Sequence, residues 1–437
     1  MGRELFGTDG IRGVAGEYPL DQSGAEQVGR AVGVHFAKPD EVVLLGWDPR
    51  ESSAMIVDAL TKGLVAVGVH VEQLGILPTP GLAFLTREDK AAKAGIMVTA
   101  SHNPYTDNGI KVFSSEGSKL PDDTEEKLNT LINGTIEDRG KGRSTDSRGK
   151  VKAYEDFLVR SFGDISLYGT RLAIDSANGA TSGIASHVFR RLSATVVGLF
   201  DQPDGRNIND RCGATDTARL RQLVIQLKVT AGIAFDGDGD RLMLIDEKGR
   251  LLTGDHILYI LALSNNYPKV VGTVMSNMGL ENALHEHNIK LERTAVGDRY
   301  VLEKLLADEL PLGAEQSGHV ILPELLSTGD GLLAAVQVFR QLKLSGKSLA
   351  DWYDELELLP QAMINLDLAD KTVLERHDIV NFIDAQTTEL GDQGRLVIRA
   401  SGTQPQVRIM VEASDAHQRA QKIAEQLDKL IKTPAHA

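Results

Sequence analysis

Three times along this chain a short apolar run breaks into a polar turn, passes into an amphipathic stretch of helical period, and returns as a further apolar run. That alternation restricts the fold more than any other property. Strands separated by helix-length segments pair in parallel and need helices packed on the sheet faces. The first copy starts at residues 42–46, turns at Trp47-Asp48-Pro49-Arg50 and predicts a helix over 52–67. A strand over 70–74, a helix over 81–86 and a strand over 95–99 follow. The second copy runs from 172–175 through Ser176-Ala177-Asn178-Gly179 into a helix over 183–192, and closes with a strand over 231–235. The third begins at 270–275, turns at Ser276-Asn277-Met278-Gly279 and closes near 312–314. The C-terminal segment departs from the pattern: a strand over 362–366, a helix over 374–390, strands over 395–398 and 407–411, and a closing helix.

A chain of 437 residues exceeds what one hydrophobic core organises. The expected architecture is α/β with four domains: three repeated α/β sandwich units with mixed, mainly parallel sheets, and a smaller C-terminal α+β domain. The expected spans are 1–152, 153–252, 253–362 and 363–437, the first boundary resting on the polar stretch 133–152. Each closing strand empties into a polar loop, and the carboxyl ends of strands are where open α/β sheets place ligands.

The most demanding of these loops is Asp236-Gly237-Asp238-Gly239-Asp240-Arg241. At an effective dielectric near 20, two unit charges 4 Å apart repel by roughly 4 kcal/mol, so three such pairs cost on the order of 12 kcal/mol. Either some carboxylates take up protons or a divalent cation sits among them. An all-oxygen ligand set suits a hard ion, Mg²⁺ or Ca²⁺, better than zinc. A calcium-binding helix–loop–helix also carries acids at alternate positions, and Glu247 falls where its last ligand stands. However, its sharp turn needs glycine where this chain has Arg241, and residues 231–235 and 242–245 read as strands rather than helices. A catalytic Mg²⁺ site on Asp236, Asp238 and Asp240 is therefore expected, against the simpler reading of a solvated acidic turn.

The strand over 95–99 leads into Thr99-Ala100-Ser101-His102-Asn103-Pro104. Ser101 lacks the glycine pattern of a hydrolase nucleophile elbow. As a phosphate carrier it fits better, because a phosphoserine dianion joins the aspartates as a ligand of the same ion. Three carboxylates and that dianion sum to about −5, of which Mg²⁺ removes two, so cations are required nearby. His102, Lys111 and Arg241 are available, and Arg12 either reaches a phosphate or pairs with Asp9. Glu315, Ser317 and His319 supply acceptors and a titratable ring for sugar hydroxyls and proton transfer. Ser401, Gly402 and Thr403, between Arg399 and Arg408, form a candidate phosphate cradle, although an ordinary turn has the same composition.

A net charge of −14 argues against nucleic acid or an anionic membrane as the main partner. A single cysteine, Cys212, excludes an internal disulfide and fits a reducing cytoplasm. The opening residues carry no apolar signal core, and no run of eighteen apolar residues occurs, so a cytoplasmic protein is expected.

Together, and in order along the whole chain, these loops resemble the α-D-phosphohexomutase family. The resemblance implies that Ser101 is the phosphoserine, with one Mg²⁺ per subunit on Ser101, Asp236, Asp238 and Asp240. It further implies sugar recognition by residues 315–319 and phosphate recognition by residues 399–405. Arg12, His102, Lys111 and His319 then take catalytic roles, with Lys111 and His319 as general base and acid in unassigned order. Arg241, Glu315, Ser317, Arg399, Ser401, Gly402, Thr403 and Arg408 bind substrate. Phe6-Gly7-Thr8-Asp9-Gly10-Ile11-Arg12-Gly13, Gln316 and Val296-Gly297-Asp298-Arg299-Tyr300 are most similar to the amino-sugar branch. The implied reaction interconverts glucosamine 6-phosphate and glucosamine 1-phosphate, with a sugar 1,6-bisphosphate as intermediate and activator. Glucose or mannose phosphates, a phosphosugar phosphatase and a non-catalytic sensor are the alternatives. Relatives imply a homodimer. Two residues depart from the family pattern: Gln404 stands where Glu is usual, and Ala400 where Pro is common.

Overall fold

The computed structural model describes residues 5–7, 10–368, 370–400 and 406–432, which build four sheets. The first contains β1 (Ile11–Val14), β2 (Val42–Trp47), β3 (His70–Ile76), β4 (Ala92–Val98), β5 (Asp107–Ser114) and β6 (Ser144–Asp146), in the order β1-β5-β4-β2-β3-β6. Helices α1 (Gln22–Phe36), α2 (Ser53–Ala66), α3 (Thr79–Glu88) and α4 (Asp122–Ile132) pack around it. Helix α1 starts where the Asp21 carboxylate accepts from Gly24 N at 2.6 Å, a cap that contributes about 1 kcal/mol.

The second unit opens with α5 (Val151–Phe162) and carries β7 (Arg171–Asp175), α6 (Ile184–Arg191), β8 (Thr195–Leu199), α7 (Ala218–Leu227), β9 (Ala231–Phe235), β10 (Leu242–Ile245) and β11 (Leu251–Leu252). Its sheet order is β11-β10-β9-β7-β8. The third comprises α8 (Gly254–Ser264), β12 (Lys269–Thr273), α9 (Met278–Glu286), β13 (Lys290–Thr294), α10 (Asp298–Ala307), β14 (Gly313–Ala314), β15 (Val320–Ile321), α11 (Gly331–Ser345) and α12 (Leu349–Glu355). Its sheet order is β13-β12-β14-β15. The fourth is an antiparallel sheet, β16-β18-β17, made of β16 (Gln361–Asp367), β17 (Arg395–Ala400) and β18 (Gln406–Glu412), with α13 (His377–Leu390) and α14 (Ala416–Lys432).

The first three units share a local device. A strand in parallel pairing ends in a polar loop, and the chain then returns antiparallel to that strand: β4 to β5, β9 to β10, β14 to β15. These return strands are what make the sheets mixed. They also pin each loop at both ends, as a hairpin does, rather than leaving it to run into a helix. Pairing with β5 accounts for strand β1, which the alternation did not indicate. Helix α8 was equally illegible, because Ile257, Leu258, Tyr259, Ile260, Leu261 and Ala262 are all buried and present no amphipathic period.

One apolar core runs from α3 through α5 into the second and third units, with Phe84, Tyr154, Phe162, Phe189, Phe235 and Phe339 inside it. Phe84 and Phe157 stack with centroids 4.5 Å apart across the first two units. Burying each Phe side chain contributes about 1.5–3 kcal/mol. The C-terminal unit keeps a core of its own. It is fastened to the third unit by Glu412, which is fully buried and accepts from Met278 N at 2.9 Å and from Arg395 Nη2 at 3.0 Å. Among the described residues, no helix is long and apolar enough to cross a membrane.

Candidate active site and metal centre

Ser101 lies just past the end of β4 with φ of 52°, in the left-handed region that costs a non-glycine residue about 1–3 kcal/mol. The surrounding structure holds it there. Ser101 N donates to Thr99 Oγ1 at 2.9 Å, and Thr99 Oγ1 donates to Asp48 Oδ2 at 2.7 Å. Asp48 also accepts from Arg50 Nε at 2.8 Å, with both side chains fully buried. Arg50 in turn donates to the carbonyls of Ser101 and Asn103, each at 2.9 Å, and of Asp107 at 3.0 Å. Asn209, from the second unit, donates to the same Ser101 and Asn103 carbonyls at 2.9 and 3.1 Å.

The loop after β9 brings the aspartates to this serine. Ser101 Oγ donates to Asp236 Oδ2 at 2.7 Å and stands 3.2 Å from His102 Nδ1. Gly237 passes so close that a Cβ there would lie 2.4 Å from Ser101 O, so no side chain fits. Ligand atoms of Asp236, Asp238 and Asp240 lie within 4.8 Å of one another, and all three residues are buried. Burial, then Asp240 and Asp238, pushes Asp236 up to about 8. Burial acts the same way on Asp240, but His319, Lys111 and Arg241 override it and hold that carboxyl well below its usual range. Lys111 Nζ bridges Asp238 Oδ2 at 2.9 Å and Asp240 Oδ2 at 3.3 Å. Among the described residues, Asp238 Oδ1 is buried without a hydrogen-bond partner. A bare carboxylate oxygen beside two further carboxylates suits a hard divalent cation, so the residues present fit Mg²⁺.

The third loop is tied to the second through the backbone. Leu242 N donates to Gly318 O at 3.0 Å, and Gly318, at φ of 97°, leaves no room for a Cβ, which would meet Leu242 O at 2.4 Å. His319 Nε2 lies 3.1 Å from Asp240 Oδ1, and its Nδ1 lies 2.9 Å from Glu315 Oε2. Burial works against charge on this ring, yet Asp240 and Glu315 raise it to about 10 despite Arg241. A carboxylate oxygen beside each ring nitrogen favours the imidazolium form of His319. His102 goes the other way: burial, then Arg241 and Arg12, push it down to about 4 and leave it neutral. Ser317 Oγ sits 3.4 Å from His319 Nδ1, and Glu315 Oε1 accepts from Gly297 N at 2.9 Å.

The structure therefore gathers Ser101, His102, Lys111, Arg12, the three aspartates, Arg241, Glu315, Ser317 and His319 at the ends of three sheets. Ser401, Gly402 and Thr403, with Gln404, lie outside the described residues. Arg399 and Arg408 face each other directly across β17 and β18. Among the described residues, no hydrogen bond or ion pair joins either arginine to the Ser101 cluster. Burial, then Arg408, lowers Arg399, whose buried Nε has no partner among the described residues. Like charges set opposite one another are unfavourable until an anion joins them. Sequence reasoning missed Asp48, Arg50 and Asn209 as parts of this centre, and Thr79, whose Oγ1 donates to Asp238 Oδ2 at 2.6 Å. Asp48 and Arg50 were read as a polar turn, and a buried acid–base pair at a strand's carboxyl end was the available signal.

Three hairpin-looped α/β units set a serine hydroxyl against a buried acidic triad that suits a divalent cation, the arrangement of an enzyme that transfers phosphoryl groups. Family models for phosphoglucomutase/phosphomannomutase match in sequence: alpha/beta/alpha domain I over residues 3–139, domain II over 152–249, domain III over 253–358, and the C-terminal domain over 363–430. The chain belongs to this family, the α-D-phosphohexomutases. A relative named phosphoglucosamine mutase, from Thermus thermophilus, is 47% identical over 98% of both chains. Another of that name, from Serratia proteamaculans, is 42% identical over 95% of this chain and 96% of its own. Among solved structures, a phosphoglucomutase/phosphomannomutase family protein from Burkholderia thailandensis superposes with a TM-score of 0.82 at 26% identity, covering 99% of this chain and 98% of its own.

Proposed function

We propose that this protein is an isomerase that interconverts glucosamine 6-phosphate and glucosamine 1-phosphate, with Ser101 as the phosphoryl carrier. The observation that carries the reading is the 2.7 Å hydrogen bond from Ser101 Oγ to Asp236, which sets a hydroxyl nucleophile against the acidic triad. The two relatives named phosphoglucosamine mutase support the amino sugar as substrate.

In the forward half-reaction the P–O bond to Ser101 breaks, a P–O bond to the free sugar hydroxyl forms, and the proton that hydroxyl gives up is balanced by the one Ser101 Oγ takes up as it leaves. The product is the 1,6-bisphosphate. In the second half-reaction its other phosphate returns to Ser101, so a trace of bisphosphate primes the enzyme. When bound by Asp236, Asp238, Asp240 and the Ser101 phosphate, Mg²⁺ supplies neutralisation of the charge on the transferring group. Arg12, Arg241 and Lys111 add fixed positive charge around it. His319 holds protons at Nδ1 and Nε2 and serves as acid, while neutral His102 donates from Nδ1 to the Oγ of unphosphorylated Ser101, whose own proton goes to Asp236. Glu315 and Ser317 orient the ring hydroxyls. Arg399 and Arg408, with Ser401, Gly402 and Thr403, hold the phosphate that is not reacting, and their mutual repulsion without an anion supports that role. The single buried Cys212 and a small phosphosugar partner fit a cytoplasmic setting.

The deciding experiment compares initial rates on glucosamine, glucose and mannose phosphates, with Mg²⁺ and a trace of each 1,6-bisphosphate, for the wild type and Ser101→Ala. A strong preference for the amino sugar and no turnover by Ser101→Ala are expected. Preference for glucose or mannose overturns the substrate. Near-normal turnover by Ser101→Ala overturns the mechanism.

A further inference from the structure

Asp238 belongs to the loop after β9, yet its side chain is held by the first unit. Its Oδ2 accepts from Thr79 Oγ1 at 2.6 Å and from Lys111 Nζ at 2.9 Å. Thr79 N donates to the Asp238 carbonyl at 2.9 Å as well, so one residue grips both main chain and side chain. Thr79 is the first residue of α3 and is 1% exposed. An amide in the first turn of a helix has no partner within the helix, so its bond to Asp238 O satisfies a group that needs one. The hydroxyl has no such need. A valine of the same shape would complete the helix start equally well.

Two donors saturate one oxygen of Asp238 and leave the other, Oδ1, buried and without a hydrogen-bond partner. The pair of donors fixes the plane of the carboxylate. Without one of them, repulsion from Asp236 and Asp240 favours turning the group away whenever the ion is absent. One ligand atom from each of the three aspartates lies within 4.8 Å of the others, so the bare oxygen is the one left open to an ion held among them.

We infer that Thr79 is a positioning residue for the metal centre: its hydroxyl sets the Asp238 carboxylate so that Oδ1 is presented to the ion. This rests on reading Asp236, Asp238 and Asp240 as the metal ligands. One consequence is that a ligand of the second unit is aligned by the first helix turn of a different unit, so the docking of these units and metal affinity are coupled.

The test is a Mn²⁺ titration of the full-length, unphosphorylated protein followed by electron paramagnetic resonance, for the wild type, Thr79→Val, Thr79→Ser and Asp238→Asn. Loss of a partner behind a metal ligand weakens the metal by about 10–100-fold, which is the fall expected for Thr79→Val. Thr79→Ser keeps the hydroxyl and should bind as the wild type does. Turnover of Thr79→Val should recover as Mn²⁺ is raised, with the KM for sugar phosphate unchanged at saturation, a pattern that a general loss of folding does not produce. Equal Mn²⁺ affinity in Thr79→Val and wild type overturns the inference. If valine disturbs the start of α3, Thr79→Ala replaces it, and equal affinity of the alanine and serine variants is then the overturning result. A wild type that binds no Mn²⁺, or an Asp238→Asn variant that binds it undiminished, overturns the metal-site reading itself, and the inference with it.

Discussion

Arg50 and Asp48 form an ion pair sealed from solvent, Nε to Oδ2 at 2.8 Å, and the same guanidinium reaches the carbonyl oxygens of Ser101 and Asn103. The pair thus acts on Ser101 without touching its side chain. It supplies donors to a loop whose backbone, at φ of 52°, would otherwise relax.

Arg50→Lys keeps the charge and loses the fork. One ammonium cannot serve Asp48 and several carbonyls at once. Turnover should fall more than sugar-phosphate binding, read as a loss in kcat with little change in KM. Arg50→Ala leaves Asp48 buried and unpaired and should cost about 3–5 kcal/mol in denaturant unfolding. An alanine variant as stable as the wild type would contradict the assignment.

His319 sets a dependence on alkaline pH. Its ordinary value of 6.5 is raised to about 10 by Asp240 and Glu315, against burial and Arg241. A folded-state value above the unfolded one contributes stability that is complete below pH 6.5 and disappears as pH rises through about 10. Metal-free wild type should therefore lose stability across that window. His319→Gln should not show that component, and urea unfolding at the two ends of the range distinguishes them.

Tyr154 donates to both oxygens of Asp330, at 3.0 and 2.9 Å, behind the aspartate loop. Burial raises Asp330 to about 7, so ionising it in the folded state costs stability between its ordinary 3.8 and that value. Tyr154→Phe removes a donor that favours the ionised form. The penalty should grow from about 1 kcal/mol at pH 5, where the bond is between neutral groups, to about 2–3 kcal/mol at pH 8. Melting curves at both pH values measure it.

Arg408→Ala should move stability and binding in opposite directions. It relieves the repulsion with Arg399 across β17 and β18, so the unliganded protein gains up to about 1 kcal/mol. On the proposed phosphate-binding role it also removes a charged donor, which costs binding about 1.5–3 kcal/mol. Thermal melts without ligand and calorimetric titration with sugar phosphate report the two separately.

Much of the centre was legible in the sequence. Ser101, Asp236, Asp238, Asp240 and His319 were expected in polar loops past strand ends, and the structure brings those loops into contact. Their supports were not. Arg50 and Asn209 reach the Ser101 loop from 51 and 108 residues away, and Thr79 reaches Asp238 from 159. Nothing local distinguishes such residues from turn formers. The return strand β5 was hidden because its Asn108, Gly109 and Lys111 break the apolar run, although the sheet buries them. The helix α8 was hidden for the opposite reason, being apolar on every side.

The grip of Arg50 and Asn209 on the Ser101 carbonyl has a consequence for choreography. A residue anchored from two units has no freedom to travel between the two ends of a hexose. On the proposed mechanism, one stationary serine must nevertheless serve an oxygen on C1 and another on C6. The sugar is then the moving part: the bisphosphate has to let go, tumble end over end, and be caught again before it escapes. The cleft must therefore be shaped to recognise one molecule in two opposite poses, and in the design of this protein the rigidity of the donor is what makes the acceptor's ambidexterity necessary.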